Sequence, residues 1–478
     1  MGLVTPVDPV PVADLGRVHF IAIGGAGMSG IARIMLARGV PVSGSDSADS
    51  PLLAELAAAG ATVHVGHDAA HVGAADTVVI SSAIRPENPE LVAARQRGLT
   101  VLHRSAALAS LMLDRQGIAV TGTHGKTTTT SMITTILRHS GADPSYVIGG
   151  ILAETGLGAA DGSGTAFVVE ADESDGSFLN LAPSAAVVTS VEADHLDNYG
   201  TLAAIEATFA QFADRLPAGG LLVACADQSG ALALTRQVGP GVRALTYGTA
   251  DGADYRISEF EQRGMTSHFT VTGGPGTAAA DAGPLRVRIA VPGRHFALNA
   301  AAALSVTAEL GVAPAAAVAG LAAYRGARRR MELKGEADGV QVVDSYAHHP
   351  TELAADLAAA RDIVADGRLI AVFQPHLFSR TRLFAADFGA ALGTADEVIV
   401  MDVYAAREDP EPGVTGDLIV RAVPGGRAQF VPGRDSVPAV AAGLAKPGDM
   451  ILTMGAGDVT ALGPLIVSAL RERAGDGT

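Results

Sequence analysis

The chain has 478 residues, 48% of them hydrophobic and 18% charged, with a formal net charge of -16 and one cysteine, Cys225. Its length fits about three domains at ~100–200 residues each, and its apolar content is that of a folded chain rather than a disordered one. The acidic balance argues against nucleic acid as a partner, one cysteine excludes an intrachain disulfide or a cysteine metal cluster, and no apolar run is long enough to predict a membrane span.

Residues 1–15 carry Asp8, Asp14 and several prolines and lack the basic and apolar regions of a signal peptide, so a reducing, cytoplasmic setting is expected. Residues 17–23 then read as a strand, followed by a glycine-rich turn and a helix over 28–38. Further strands are expected at 77–80 and 100–103, which makes residues 1–107 a small Rossmann-like unit. Its turn, Gly25-x-Gly27-x-x-Gly30 with Asp46 beyond, fits a site for a dinucleotide or for any other pyrophosphate at a helix N-terminus.

A second unit, residues 108–325, opens with an apolar strand, the loop Gly122-Thr123-His124-Gly125-Lys126-Thr127-Thr128 and a helix starting near Lys126. Backbone N–H groups at such a helix start attract phosphate, the lysine neutralises β/γ charge, and the next hydroxyl can meet Mg²⁺. The motif is shorter than the full phosphate-loop pattern, because position 120 is valine. Two later strands end in acidic clusters, Glu170 to Asp175 and Glu192, Asp194, His195 and Asp197. Carboxylates at the carboxyl ends of strands should face the phosphate loop, and their hard oxygens suit Mg²⁺. Residues 254–291 alternate like antiparallel strands attached to this unit, around a glycine-rich insert at 272–283. Residues 326–478 then repeat an α/β pattern, with apolar runs at 340–343, 369–373, 398–401 and 450–452.

These segments resemble the Mur ligases of peptidoglycan synthesis. The resemblance is carried by residues 19–32, 122–129, 170–178 and 192–197, by Pro292 to His295 with Asn299, and by 344–352, 373–376, 379–381 and 455–458. It implies an α/β fold of three domains: a Rossmann-like N-terminal domain, a central ATPase-type mixed sheet with an antiparallel extension, and a Rossmann-like C-terminal domain. It also implies ATP and Mg²⁺ as cofactors and a two-step reaction. The lactyl carboxylate of UDP-N-acetylmuramate takes the γ-phosphoryl group of ATP, and the amine of L-alanine then displaces phosphate. In the family's pattern Gly24, Gly25, Ala26, Gly27, Met28, Asp46 and Ser82 hold the UDP-sugar, and Gly122 to Thr128 the ATP phosphates. Thr127, Glu170 and His195 fall at metal positions, His295 and Asn299 at adenine, Asp344 at ribose and Arg330 at the γ-phosphate, with Lys126, His195 and Arg330 as the catalytic set. Tyr346, His348, His376 and Arg380 match the alanine site. On this reading Lys126 serves phosphate charge alone, and its loss leaves the fold intact.

The chain departs from the family at Leu377, where many relatives have Arg, at Phe296 and Ser190, where Asn is usual, and at Ser345, where a second Asp is common. Three other readings stay open: a dehydrogenase using the N-terminal glycines for NAD, a non-catalytic nucleotide-binding regulator, and a sister ligase that adds a preformed peptide instead of alanine. Substrates held by separate domains imply closure on binding. Monomer and homodimer are both compatible with the sequence.

Overall fold

The computed structural model describes residues 3–406 and 408–475. Three sheets follow one another along the chain, one per domain. The first joins β1 (Val18–Ile21), β2 (Val42–Asp46), β3 (Thr62–Val65), β4 (Thr77–Ile80) and β5 (Thr100–His103) in the order β3-β2-β1-β4-β5, all parallel. Strand order reverses between β1 and β4, and in open parallel sheets ligands bind beyond the carboxyl ends at such a switch point. One face packs Ile21 and Val78 against Val72, Ala75, Leu91 and Ala94.

A polar hub lies inside this domain. His19, in the middle of β1, and Glu90 have fully buried side chains, with His19 Nε2 3.0 Å from Glu90 Oε2. Ser45 Oγ donates to the same oxygen at 2.7 Å, while His67 Nδ1 and the Asp68 amide each lie 3.2 Å from the other. A buried carboxylate is costly unless its lone pairs are filled in this way.

The second sheet contains β6 (Gln116–Thr121), β7 (Ser145–Val147), β8 (Ala159–Ala160), β9 (Ala166–Glu170), β10 (Ala185–Val188), β11 (Leu221–Cys225), β12 (Arg243–Gly248), β13 (Tyr255–Arg263), β14 (Thr266–Gly273) and β15 (Leu285–Ile289). Their order is β15-β14-β13-β12-β11-β10-β6-β9-β7-β8. The central strands β9, β6, β10 and β11 are parallel neighbours. Strands β10 and β11 are buried at every position, the pattern of strands covered on both faces. Strands β13 and β14 are joined by two residues, a connection that only an antiparallel pair permits. The antiparallel extension expected over 254–291 is therefore present.

The third sheet has β16 (Glu332–Ala337), β17 (Val340–Ser345), β18 (Leu369–Phe373), β19 (Glu397–Val400), β20 (Ala428–Phe430) and β21 (Met450–Met454), in the order β16-β17-β21-β18-β19-β20. Only β16 runs antiparallel to its neighbour. Val340, Val342, Ile370, Val372, Ile399 and Ile451 form a core with Leu462, Ile466 and Leu470 of the last helix.

By compactness the chain forms two units. One, residues 1–258, 270–287 and 298–324, holds the first sheet and most of the second; the other, residues 259–269, 288–297 and 325–478, holds the third sheet and the remaining parts of β13, β14 and β15. No helix among the described residues is long and apolar enough to cross a membrane.

Candidate active site

In the first unit, β1 turns through Ala22 to Gly25 into the helix Ala26–Ala37. The Gly24 amide donates to Asp46 Oδ2 at 2.9 Å, and a Cβ on Gly24 would lie 2.8 Å from that oxygen, so the turn needs glycine there. Gly25 caps the helix in an extended conformation. A Cβ on Gly27 would come 3.2 Å from Arg104 Nη1. Met28 is 3% exposed, so its side chain belongs mainly to the core. Ser82, beyond β4, donates to Asp175 and faces His103 Nε2 at 3.1 Å. Burial brings His103 down to about 4 despite the nearby Asp175, so the ring is neutral at physiological pH.

The loop between β6 and the helix Lys126–His139 is tied to the segment after β10. Thr123 donates its amide to the Ser190 carbonyl at 3.0 Å, and His124 its amide to Ser190 Oγ at 3.0 Å. Thr123 Oγ1 in turn accepts from the Glu192 amide at 2.8 Å. Ser190, one of the departures from the family pattern, thus holds the loop with its own hydroxyl. Gly125 has φ +80°, and a Cβ there would lie 2.5 Å from Asn299 Oδ1, so Asn299 packs directly on the loop. Thr128 is buried in the first turn of the helix.

Lys126 Nζ donates to the Gly122 carbonyl at 2.6 Å, the Thr123 carbonyl at 3.2 Å and Glu173 Oε1 at 2.9 Å. Burial works against its charge, but Glu173, Asp172 and Glu170 outweigh this and keep the ammonium protonated.

The four carboxylates after β9 each have a different partner. Glu170 Oε1 accepts from Thr127 Oγ1 at 3.0 Å and its other oxygen from the Gly149 amide at 2.7 Å. Asp172 pairs with Arg104 at 2.7 Å, Glu173 with Lys126, and Asp175 with Ser82. Burial opposes the charge on Asp172, yet Arg104 and Lys126 hold it below the usual carboxylate range. One six-residue segment therefore touches the phosphate loop and the carboxyl ends of β4 and β5.

His195 adopts a left-handed conformation, φ 51°, and its Nε2 stands 3.7 Å from Glu173 Oε1 and 3.6 Å from Asp194 Oδ2. Thr127 and Glu170 oxygens converging beside the loop are the hard donor set that Mg²⁺ takes, so these residues fit that ion.

The second unit contains the remaining predicted residues. His295 Nε2 lies 3.1 Å from Asp356 Oδ1, and the ring leans on Phe296 with centroids 4.3 Å apart. Asp356 also accepts from Ser345, whose oxygen takes the Ala347 amide at 3.0 Å. Asp344 has a fully buried side chain; its oxygens accept from Thr453 and Thr460 at 2.7 Å each, with Arg329 Nε 3.6 Å and Lys334 Nζ 3.8 Å away. In this geometry its carboxylate anchors the basic run.

Arg330 sits between two left-handed residues, Arg329 at φ 62° and Met331 at φ 50°, a conformation that non-glycine residues adopt only when their surroundings enforce it. Tyr346 provides that enforcement. Its amide donates to the Arg329 carbonyl at 2.7 Å, and its ring lies 4.7 Å from the Arg329 guanidinium and 5.1 Å from that of Arg330. His348 stands edge-on to Tyr346 at 5.3 Å and to His376 at 6.1 Å. Arg380 is 7% exposed in the first turn of the helix Phe378–Leu392, and Leu377, at its cap, is buried.

Three family profiles cover the chain in the same order as its sheets. They are the Mur ligase family catalytic domain over 17–116, the Mur ligase middle domain over 120–307 and the Mur ligase glutamate ligase domain over 329–457. A UDP-N-acetylmuramate–L-alanine ligase of Thermobifida fusca (strain YX) is 57% identical across 98% of this chain and all of its own length. The chain belongs to the Mur ligase family. Among solved structures, the UDP-N-acetylmuramate–alanine ligase of Thermotoga maritima matches with TM-score 0.80 and 28% identity over 97% of this chain and 100% of that one. A murein peptide ligase of Psychrobacter arcticus matches with TM-score 0.70 and 26% identity over 95% and 99%.

Within this family frame, sequence reasoning pointed to the Glu170 to Asp175 cluster but not to its partners His103 and Arg104, nor to the ion pair of Glu173 with Lys126. Arg104 and Asp172 are 68 positions apart, and no local spacing announces such a pair. The available signal was weaker: four carboxylates in six residues need cations, and the chain offers only three lysines, which points to arginine.

Proposed function

We propose that the chain is an ATP-dependent ligase that joins L-alanine to the lactyl carboxylate of UDP-N-acetylmuramate, supplying a precursor of peptidoglycan. The observation that carries this reading is the near-full-length similarity to alanine-adding relatives, together with a phosphate loop whose lysine shares an acidic segment with the Rossmann-like domain. In the first step a carboxylate oxygen attacks the γ-phosphorus of ATP and ADP departs. In the second the alanine amine attacks the acyl carbon, phosphate leaves, and the amine gives up a proton. Such chemistry depends on positioning and charge neutralisation rather than on a protein nucleophile.

On this reading Gly122 to Thr128 cradle the phosphates, Lys126 and Arg330 neutralise the charge that moves with the γ-phosphoryl group, and His295, Asn299 and Asp344 form the nucleoside side. Mg²⁺ held by Thr127 and Glu170, with His195 at a second position, supplies further neutralisation of phosphate oxygens. Gly24 to Met28, Asp46 and Ser82 take the UDP-sugar, and Tyr346, His348, His376 and Arg380 the amino acid. Residues 1–107, 108–325 and 326–478 are then the sugar, ATP and amino-acid domains of a cytoplasmic enzyme.

The test is phosphate release from ATP with Mg²⁺ and UDP-N-acetylmuramate, comparing L-alanine with the tripeptide L-Ala-γ-D-Glu-diamino acid. Release that requires L-alanine supports the reading. Release with the tripeptide alone assigns the chain to peptide addition, the activity named for the Psychrobacter arcticus neighbour.

A further inference from the structure

The second unit presents a row of rings beyond the carboxyl ends of β17, β18 and β19: Tyr346, His348, His376 and Tyr404. The first three belong to the proposed alanine site. Tyr404 is assigned to nothing so far, and it is an aromatic residue left 39% exposed.

Its position is nevertheless fixed. The Tyr404 amide donates to the Pro375 carbonyl at 2.8 Å and its carbonyl accepts from the Leu377 amide at 3.0 Å, a one-residue parallel bridge alongside His376. The Tyr404 ring lies nearly parallel to that of His376, with centroids 5.9 Å apart and 14° between planes. Behind it, a Cβ on Gly457 would come 2.7 Å from Tyr404 Cγ and 2.4 Å from Gln374 Oε1. Gln374 is itself clamped, donating to Asp458 at 2.7 Å and accepting from the Val459 amide at 3.1 Å. The ring therefore rests on a floor with no room for another side chain.

A small α-amino acid asks three things of a site: donors for its carboxylate, a polar partner for its amine and an apolar wall for its side chain. Arg380, His348, His376 and the Tyr346 hydroxyl can meet the first two. At the end of the row the uncharged, partly exposed surface is the Tyr404 ring, whose backbone is held on both sides. Building on the alanine reading above, we propose that Tyr404 is the specificity-determining wall of the amino-acid site, against which a one-carbon side chain packs and by which larger ones are turned away.

The test compares full-length wild type, Tyr404→Ala, Tyr404→Leu and Tyr404→Phe, measuring kcat/KM for L-alanine and L-2-aminobutyrate by phosphate release with UDP-N-acetylmuramate. An added methylene is typically discriminated by about 10- to 200-fold. Opening the wall in Tyr404→Ala should raise the aminobutyrate-to-alanine ratio at least tenfold, Tyr404→Leu should raise it less, and Tyr404→Phe should keep the wild-type ratio. An unchanged ratio in Tyr404→Ala, even with lower overall activity, reduces Tyr404 to a buttress of His376 and overturns the proposal. A Tyr404→Phe ratio shifted as far as that of Tyr404→Ala also overturns it, since the hydroxyl rather than the ring face would then decide. Absence of L-alanine-dependent release in wild type is a different failure, that of the alanine site as a whole.

Discussion

Lys126 shows how a residue singled out for chemistry can also hold structure. The expectation that it serves phosphate alone overlooked Glu173, whose side chain is 3% exposed and ion-paired to it. Removing one partner of a buried pair strands the other, at a typical cost of about 3–5 kcal/mol. Lys126→Ala is therefore expected to lower turnover by orders of magnitude and to lower the melting temperature. Adding Glu173→Gln should recover much of the stability and none of the activity; activity restored with stability would remove Lys126 from the phosphate site. Glu90 offers a pH test. Burial opposes its charge, but hydrogen bonds from His19, Ser45 and His67 hold it at about 2, below its ordinary 4.5. A depressed carboxylate stabilises the fold at pH values above the ordinary 4.5, and that contribution is lost as pH falls toward 2. Wild type should lose thermal stability steeply on acidification from pH 5, whereas Glu90→Gln should start lower at pH 7 and decline less over that range.

At the scale of elements, legibility followed locality. Strand, loop and helix around Lys126 were readable because β6 carries the apolar run Ile118 to Val120 and the loop's glycines, Gly122 and Gly125, lie within four residues of sequence. Strands such as Ser145–Val147 and Ala428–Phe430 were not, since three residues give no period to read. The same limit hid the acidic segment's partners Arg104 and Ser82, which come from elements far from it in sequence. Ser190 illustrates the reverse case: sequence flagged it as a departure, and its contacts explain why a hydroxyl suffices there. The close seat of the loop against the helix Arg294–Glu309 gives an element-scale prediction. Gly125→Ala puts a Cβ 2.5 Å from Asn299 Oδ1 at a φ of +80°. The KM for ATP should rise at least tenfold while the KM for the UDP-sugar moves little, as steady-state titration of each substrate would show. Equal effects on both would mean that the loop does not act on nucleotide specifically.

At the scale of the whole molecule, two units with their own cores predict calorimetric unfolding in more than one step, because multidomain chains depart from two-state behaviour. The residues proposed to bind the sugar nucleotide lie in the first unit, so UDP-N-acetylmuramate at about 100 times its Kd should stabilise that unit by ~2.7 kcal/mol. Its transition should move up and the other stay in place. A single transition that moves as a whole would show the units to be thermodynamically one body. The acidic segment after β9 has a last consequence, in the protons exchanged with solvent. Burial pushes the Glu173 carboxyl up, opposed chiefly by Lys126 and also by His195. If Lys126 takes the proposed phosphate role, a nucleotide that draws the ammonium away removes this opposition, and ATP binding is expected to be accompanied by proton uptake. Calorimetric titrations in buffers of different ionisation enthalpy should then give apparent binding enthalpies that differ in proportion, and Glu173→Gln should make them coincide.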